Sequence, residues 1–190
     1  MKVLILITGI LICKITACQS IEFFRENLIF SLDSVNFTVN GTYFIRNTSK
    51  TAASFLINYP IPGSLNPDNH DTLIVQDMAS SLKFVKVTQK DTLYTFHCNI
   101  ESGSDKELTI AYRLRHNGNS VRYILTTTSY WGKPLEVATY DLIIPNYIKI
   151  SGFSFEPDSS TVFQTEKVYH WKKKDFFPDK EILIHFIIAY

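Results

Sequence analysis

The sequence predicts an all-β fold, a single two-sheet antiparallel β-sandwich of roughly ten to twelve short strands. Two observations carry that expectation. Apolar and polar residues alternate with period two through most of the chain, which places every second side chain on a buried face. Turn-forming clusters punctuate the alternating runs: Pro60-Ile61-Pro62-Gly63, Pro67-Asp68-Asn69, Gly103-Ser104-Asp105, Asn117-Gly118-Asn119 and Pro157-Asp158-Ser159-Ser160. Aromatic residues make up 14% of the chain, with 14 Phe and 10 Tyr, which suits a pleated surface better than a helix.

Taken in order, the clearest strand runs through Val35, Phe37, Val39, Gly41, Tyr43 and Ile45, with Asn36, Thr38, Asn40 and Thr42 on the opposite face. Tyr94, Phe96, Cys98 and Ile100 form a second apolar face, and Leu108, Ile110, Tyr112 and Leu114 a third. Val121, Tyr123, Leu125 and Thr127 repeat the pattern, as do Ala138, Tyr140, Leu142 and Ile144. Asn117-Gly118 lies between two such runs and reads as a β-hairpin turn. The segment from Ile182 to Ala189 is apolar on both faces, as a central strand in a packed sandwich would be. Helical spacing is confined to two short candidates, Ile21 to Asn27 and Gln76 to Ser81.

Ahead of the first strand, Met1-Lys2 is followed by an apolar run from Val3 to Cys13 and then Ile15-Thr16-Ala17-Cys18. A basic start, a short apolar stretch and a small-residue exit are the parts of a secretory signal, so residues 1–17 are expected to be removed, leaving 18–190 as one domain. Ile15-Thr16-Ala17-Cys18 resembles the lipobox of bacterial lipoproteins. The resemblance implies cleavage before Cys18, diacylation of its thiol, and partnership with a membrane through that lipid. Gln19-Ser20 lacks the Asp that commonly retains such proteins at the inner membrane, which implies the outer membrane of the cell envelope. Ordinary cleavage near Cys18 to Ser20 would instead give a soluble secreted protein.

Removing Lys2 and Lys14 with the leader turns the formal net charge of +1 slightly negative. That leaves no electrostatic footprint for nucleic acid. The one basic cluster, Lys172-Lys173-Lys174, reads as a solvated strand end. An acylated Cys18 would leave Cys98 without a disulfide partner, and its place on an apolar face makes it a buried structural thiol; a free Cys18 would allow a bridge to Cys98. The sequons at Asn36, Asn40 and Asn47 read as coincidence on the polar face of a strand.

No motif assigns a catalytic residue. The five histidines include no His-x-x-x-His pair, and there is no Gly-x-Ser-x-Gly elbow, phosphate loop or dinucleotide fingerprint, so no cofactor is expected. Asp68, His70 and Asp71 share a turn and are the weak candidates for a metal site, although Asx-rich turns form without metal. Tyr130 and Trp131, beside Gly132 and Pro134, break the strand rhythm. They are the candidate ligand-binding residues, able to stack on a sugar or anchor a protein partner. Folding of Trp131 into the core is the simpler alternative, and Trp171 reads as sheet-facing core. The function expected is a non-catalytic envelope lipoprotein acting as a binding or structural module. The alternative is an exported hydrolase or metal-dependent enzyme whose site is assembled from loops.

Overall fold

The computed structural model describes residues 20–63, 73–78 and 84–189. Its strands are β1 (Ile21–Leu32), β2 (Asn36–Asn47), β3 (Ala53–Pro60), β4 (Ile74–Asp77), β5 (Val87–Lys90), β6 (Leu93–Ile100) and β7 (Asp105–Arg115). β8 (Ser120–Tyr123), β9 (Leu135–Pro145), β10 (Ile148–Phe153), β11 (Ser159–Val162), β12 (Glu166–Phe176) and β13 (Ile182–Ile188) complete them. A 3-10 helix, Thr126–Trp131, follows β8. The all-β, sandwich-like expectation holds. One layer is a seven-stranded sheet in the order β11-β12-β9-β1-β2-β7-β4, and the other is divided between two three-stranded sheets, β10-β13-β8 and β3-β6-β5. The large sheet is not wholly antiparallel, because β1 runs parallel to β9.

The inward face of the large sheet is set by alternation. Phe37, Val39, Tyr43 and Ile45 of β2 are buried, as are Leu108, Ile110 and Tyr112 of β7 and Ala138, Tyr140, Leu142 and Ile144 of β9. Phe30 at the centre stacks on Phe37 at 5.6 Å and meets Tyr123 of the facing layer at 5.3 Å. Each fully buried aromatic of this kind contributes about 1.5–3 kcal/mol through area removed from water. Tyr94, Phe96, Cys98 and Ile100 line the inner face of β6, and Ile182, Ile184 and Phe186 that of β13. β13 is the central strand of its sheet, as its apolar composition implied.

The structure departs from the sequence reading at four places. The run from Val121 to Thr127 is strand only as far as Tyr123, and Thr127 lies in the 3-10 helix. Ile21 to Asn27 is strand, not helix: β1 pairs with β2 throughout, and its register slips between Phe23 and Arg25. That bulge switches the inward set from Ile21 and Phe23 to Glu26, Leu28, Phe30 and Leu32. The slip leaves Ile21, Phe24 and Leu28 at helical spacing, which is what mimics a helix. Phe24 is buried beside Phe44 and under the Arg46 guanidinium, 4.0 Å from its ring centre.

At the second candidate helix, Gln76 and Asp77 belong to β4, which pairs with β7; residues 79–81 lie outside the described residues. Asn117-Gly118 is not a hairpin turn either. The end of β7 that leads into it, Tyr112 to Arg115, pairs with β2, and the chain then crosses to β8 in another sheet. Gly118 does not take the positive φ that a two-residue hairpin turn of the Asn-Gly kind requires. A tight hairpin does lie between β5 and β6, where Asp91 adopts φ 54° and Lys90 pairs with Leu93.

Candidate functional site

A cavity of about 650 Å³ opens between the large sheet and the divided layer. Its floor comes from β1, β2 and β7, with Phe23, Glu26, Tyr43, Ile45, Leu108 and Ile110. β3 and β6 form one wall; Tyr123 and the 3-10 helix segment close the other. The cavity therefore sits where the two small sheets meet, a seam that no continuous sheet covers. Exposed Leu56, Leu93 and Tyr130, the last 85% exposed, surround its mouth.

Two local features of the sequence make this space. Gly41 on β2 lacks a side chain where the Tyr43 ring folds back over the strand, and a Cβ there would overlap that ring. The bulge in β1 then aims Glu26 inward beside Tyr43, its pairing partner on β2. An unbulged strand continuing from Ile21 and Phe23 would have aimed Arg25 inward instead.

The polar groups converge. The Tyr43 hydroxyl lies 2.8 Å from that of Tyr59 and 2.9 Å from that of Tyr123, joining β2, β3 and β8 through one hydrogen-bonded cluster. Tyr140 donates its hydroxyl to Glu26 Oε1 at 2.6 Å. Glu26 is 1% exposed, and burial pushes its carboxyl up to about 7, a rise that the Tyr140 hydrogen bond partly offsets. Burial likewise holds the hydroxyls of Tyr43, Tyr59, Tyr123 and Tyr140 well above the usual phenol range. Among the described lining residues Glu26 is the one ionisable group other than tyrosine, and none is basic.

Both Tyr130 and Trp131 border this cavity. Trp131 is half-buried against the Phe23 ring at 5.8 Å and the Phe55 ring at 6.1 Å, so it packs on the core and lines the space at once. The helix that carries the pair is fixed at both ends. Glu181 accepts hydrogen bonds from the Leu125 and Thr126 amides and, at 2.7 Å, from the Thr126 hydroxyl. Gly132 ends the helix at φ 73°, and Lys133 pairs with Glu22.

The remaining candidates lie elsewhere. Cys18, Asp68, His70 and Asp71 lie outside the described residues. Among the described residues no group of three His, Cys, Asp or Glu side chains could hold a metal ion. Cys98 is buried, and burial pushes its thiol up to about 11. Trp171 is core, its indole donating to the Phe155 carbonyl at 2.9 Å. Lys173 pairs with Asp158 at 2.9 Å, while Lys172 and Lys174 face solvent. Asn47 is fully buried and donates to the Thr51 and Glu101 carbonyls, which makes it a structural side chain.

Sequence reasoning missed Glu26 and the tyrosine cluster. The signal for Glu26 was a lone carboxylate in register with Leu28, Phe30 and Leu32. Nothing local distinguished Tyr43, Tyr59 and Tyr123 from other tyrosines on inward faces.

No protein-family model matches the chain, and no curated protein is similar to it in sequence. Solved structures do share its fold. A candidate nutrient binding protein from Legionella pneumophila superposes with a TM-score of 0.71 at 12% identity, over 88% of this chain and 67% of that one. An M1 zinc metallopeptidase from Deinococcus radiodurans gives 0.55 at 10% identity, over 87% of this chain and 42% of that one. The chain thus spans well under half of the peptidase. At these identities the likeness is one of fold: an all-β sandwich-like domain.

Proposed function

We propose that the chain is an exported, non-catalytic binding module whose ligand is a small, largely apolar molecule held in the cavity between the sheets. The observation that carries this reading is the cavity itself. Its volume of about 650 Å³ lies within the roughly 300–1,000 Å³ of small-molecule sites, and its lining is apolar with a few converging polar groups. The pinned helix and the tyrosine cluster hold the walls in place before a ligand arrives, so little ordering entropy is lost on binding. The fold likeness to a candidate nutrient binding protein is in keeping with this role. The likeness to the metallopeptidase does not favour catalysis, since the sequence carries no His-Glu-x-x-His zinc-binding motif.

Trp131 supplies the test. In a Trp171→Phe background its emission reports the cavity mouth alone, and titration with 4-phenylbutanol should change it saturably. Emission that stays constant up to the solubility limit would refute the reading.

We further propose that Cys18 is acylated and holds this domain at the envelope membrane. The support is the order of basic start, apolar run and Ile15-Thr16-Ala17-Cys18. Acyl chains contribute about 0.8 kcal/mol per buried methylene, so several on one cysteine give durable attachment. Cys18→Ser should release the protein from membranes and abolish incorporation of radioactive palmitate; unchanged retention would sink the anchor.

A further inference from the structure

We infer that the cavity selects ligands carrying a protonated amine on an apolar body, with the ammonium seated against Glu26 and the body between the aromatic walls. This deepens the proposed function and rests on it. Glu26 is 1% exposed and receives one side-chain hydrogen bond, from Tyr140 to Oε1. No Lys, Arg or His lines the cavity among the described residues, so the protein supplies no countercharge there. A carboxylate left in such surroundings is strongly penalised, and a ligand cation relieves the penalty at once.

The surroundings suit a cation in a second way. Phe23, Tyr43, Tyr123 and Trp131 line the same space, and the electron-rich faces of aromatic rings attract an ammonium group. An anionic ligand would meet the opposite: no basic partner, and Glu26 itself. A neutral ligand would fill the apolar part but leave the carboxyl uncompensated.

The dependence on pH follows from the groups that face Glu26. These are Tyr43 on β2, Tyr59 on β3, Tyr123 on β8 and Tyr140 on β9, all held neutral well beyond the usual phenol range. Glu26 is thus the group that changes charge near neutrality, pushed by burial to about 7. Amine affinity should rise between mildly acidic and mildly alkaline pH as the free cavity comes to hold a carboxylate.

Three probes of matched shape separate the readings: 4-phenylbutylammonium, 4-phenylbutanol and 4-phenylbutyrate, titrated calorimetrically into the full chain at pH 8. The expected result is binding of the ammonium at least tenfold tighter than the alcohol, with the butyrate weakest. Glu26→Gln should erase that preference, weakening the ammonium at least tenfold while the alcohol binds at least as tightly as before. Equal binding of all three probes would overturn the amine assignment and leave the cavity as a binding site. An ammonium preference that survives Glu26→Gln would also overturn it. Failure of every probe to bind would overturn the proposed function and this inference together.

Discussion

Replacing Glu26 by Gln should stabilise the free protein, and by an amount that depends on pH. The glutamine keeps the size of the side chain and can still accept the Tyr140 hydrogen bond, but it carries no charge. In the folded protein the Glu26 carboxyl is pushed from its ordinary 4.5 up to about 7. The folded state therefore holds the proton more tightly than the unfolded chain, and ionisation works against folding. This contribution is fully present below pH 4.5, is lost as pH rises through about 7, and stays lost above that.

At 1.36 kcal/mol per pH unit, the interval between 4.5 and about 7 corresponds to about 3 kcal/mol. That is a large share of the roughly 5–15 kcal/mol by which a domain is stable. Glu26→Gln should thus raise stability by about 3 kcal/mol at pH 8 and change it little at pH 4.5. For a domain of this size the alkaline effect would raise Tm by roughly 6–12 °C. Urea denaturation of both proteins at pH 4.5, 6, 7 and 8 measures the difference directly. Parallel stability curves for the two proteins across that range would refute the reasoning, because they would mean that Glu26 is not desolvated.

Four further outcomes test the rest of the structure. Trp131→Ala, which removes a half-buried ring from Phe23 and Phe55, should cost about 2 kcal/mol in thermal unfolding, well below the roughly 3–5 of a fully buried aromatic. Tyr130→Ala, at an 85% exposed position, should stay within about 0.5 kcal/mol of wild type. Gly41→Ala should destabilise by about 1–3 kcal/mol by displacing the Tyr43 ring, and near-ultraviolet circular dichroism should show the altered tyrosine packing. Iodoacetamide at pH 8 should leave Cys98 unlabelled in the folded protein and modify it in guanidinium, as mapped by peptide mass spectrometry, because burial pushes its thiol up to about 11.

What the sequence disclosed and what it concealed follow from the range of the interactions. Period-two patterns at Phe37 to Ile45 and at Tyr94 to Ile100 are local, and both survive as buried faces of strands. The signal at Ile21 to Asn27 failed because a single-residue bulge, visible only through pairing with β2, breaks the period and imitates a helix. Asn117-Gly118 failed for a topological reason: the strand that follows it, β8, pairs with β13 in another sheet, a long-range pairing that no local turn sequence discloses. The β5–β6 hairpin uses Asp91, an uncommon but tolerated residue at positive φ.

The candidate site shows the same division. Tyr130 and Trp131 stood out because they interrupt a local rhythm. The tyrosine hydroxyl cluster unites positions 43, 59 and 123, which only the folded chain brings together. Glu26 was detectable in principle as a carboxylate in an inward register, but that register exists only once the bulge is known.

The central claim is that the cavity between the sheets is where this protein binds a ligand. The most direct measurement is amide chemical-shift mapping by NMR during titration with 4-phenylbutylammonium. Saturable shifts should be confined to the lining, at Glu26, Ile57, Asn58, Tyr59, Thr127, Thr128 and the Trp131 indole. Shifts confined to the outer face of the large sheet, at Thr38, Asn40 and Thr42, or no shifts at all, would contradict it.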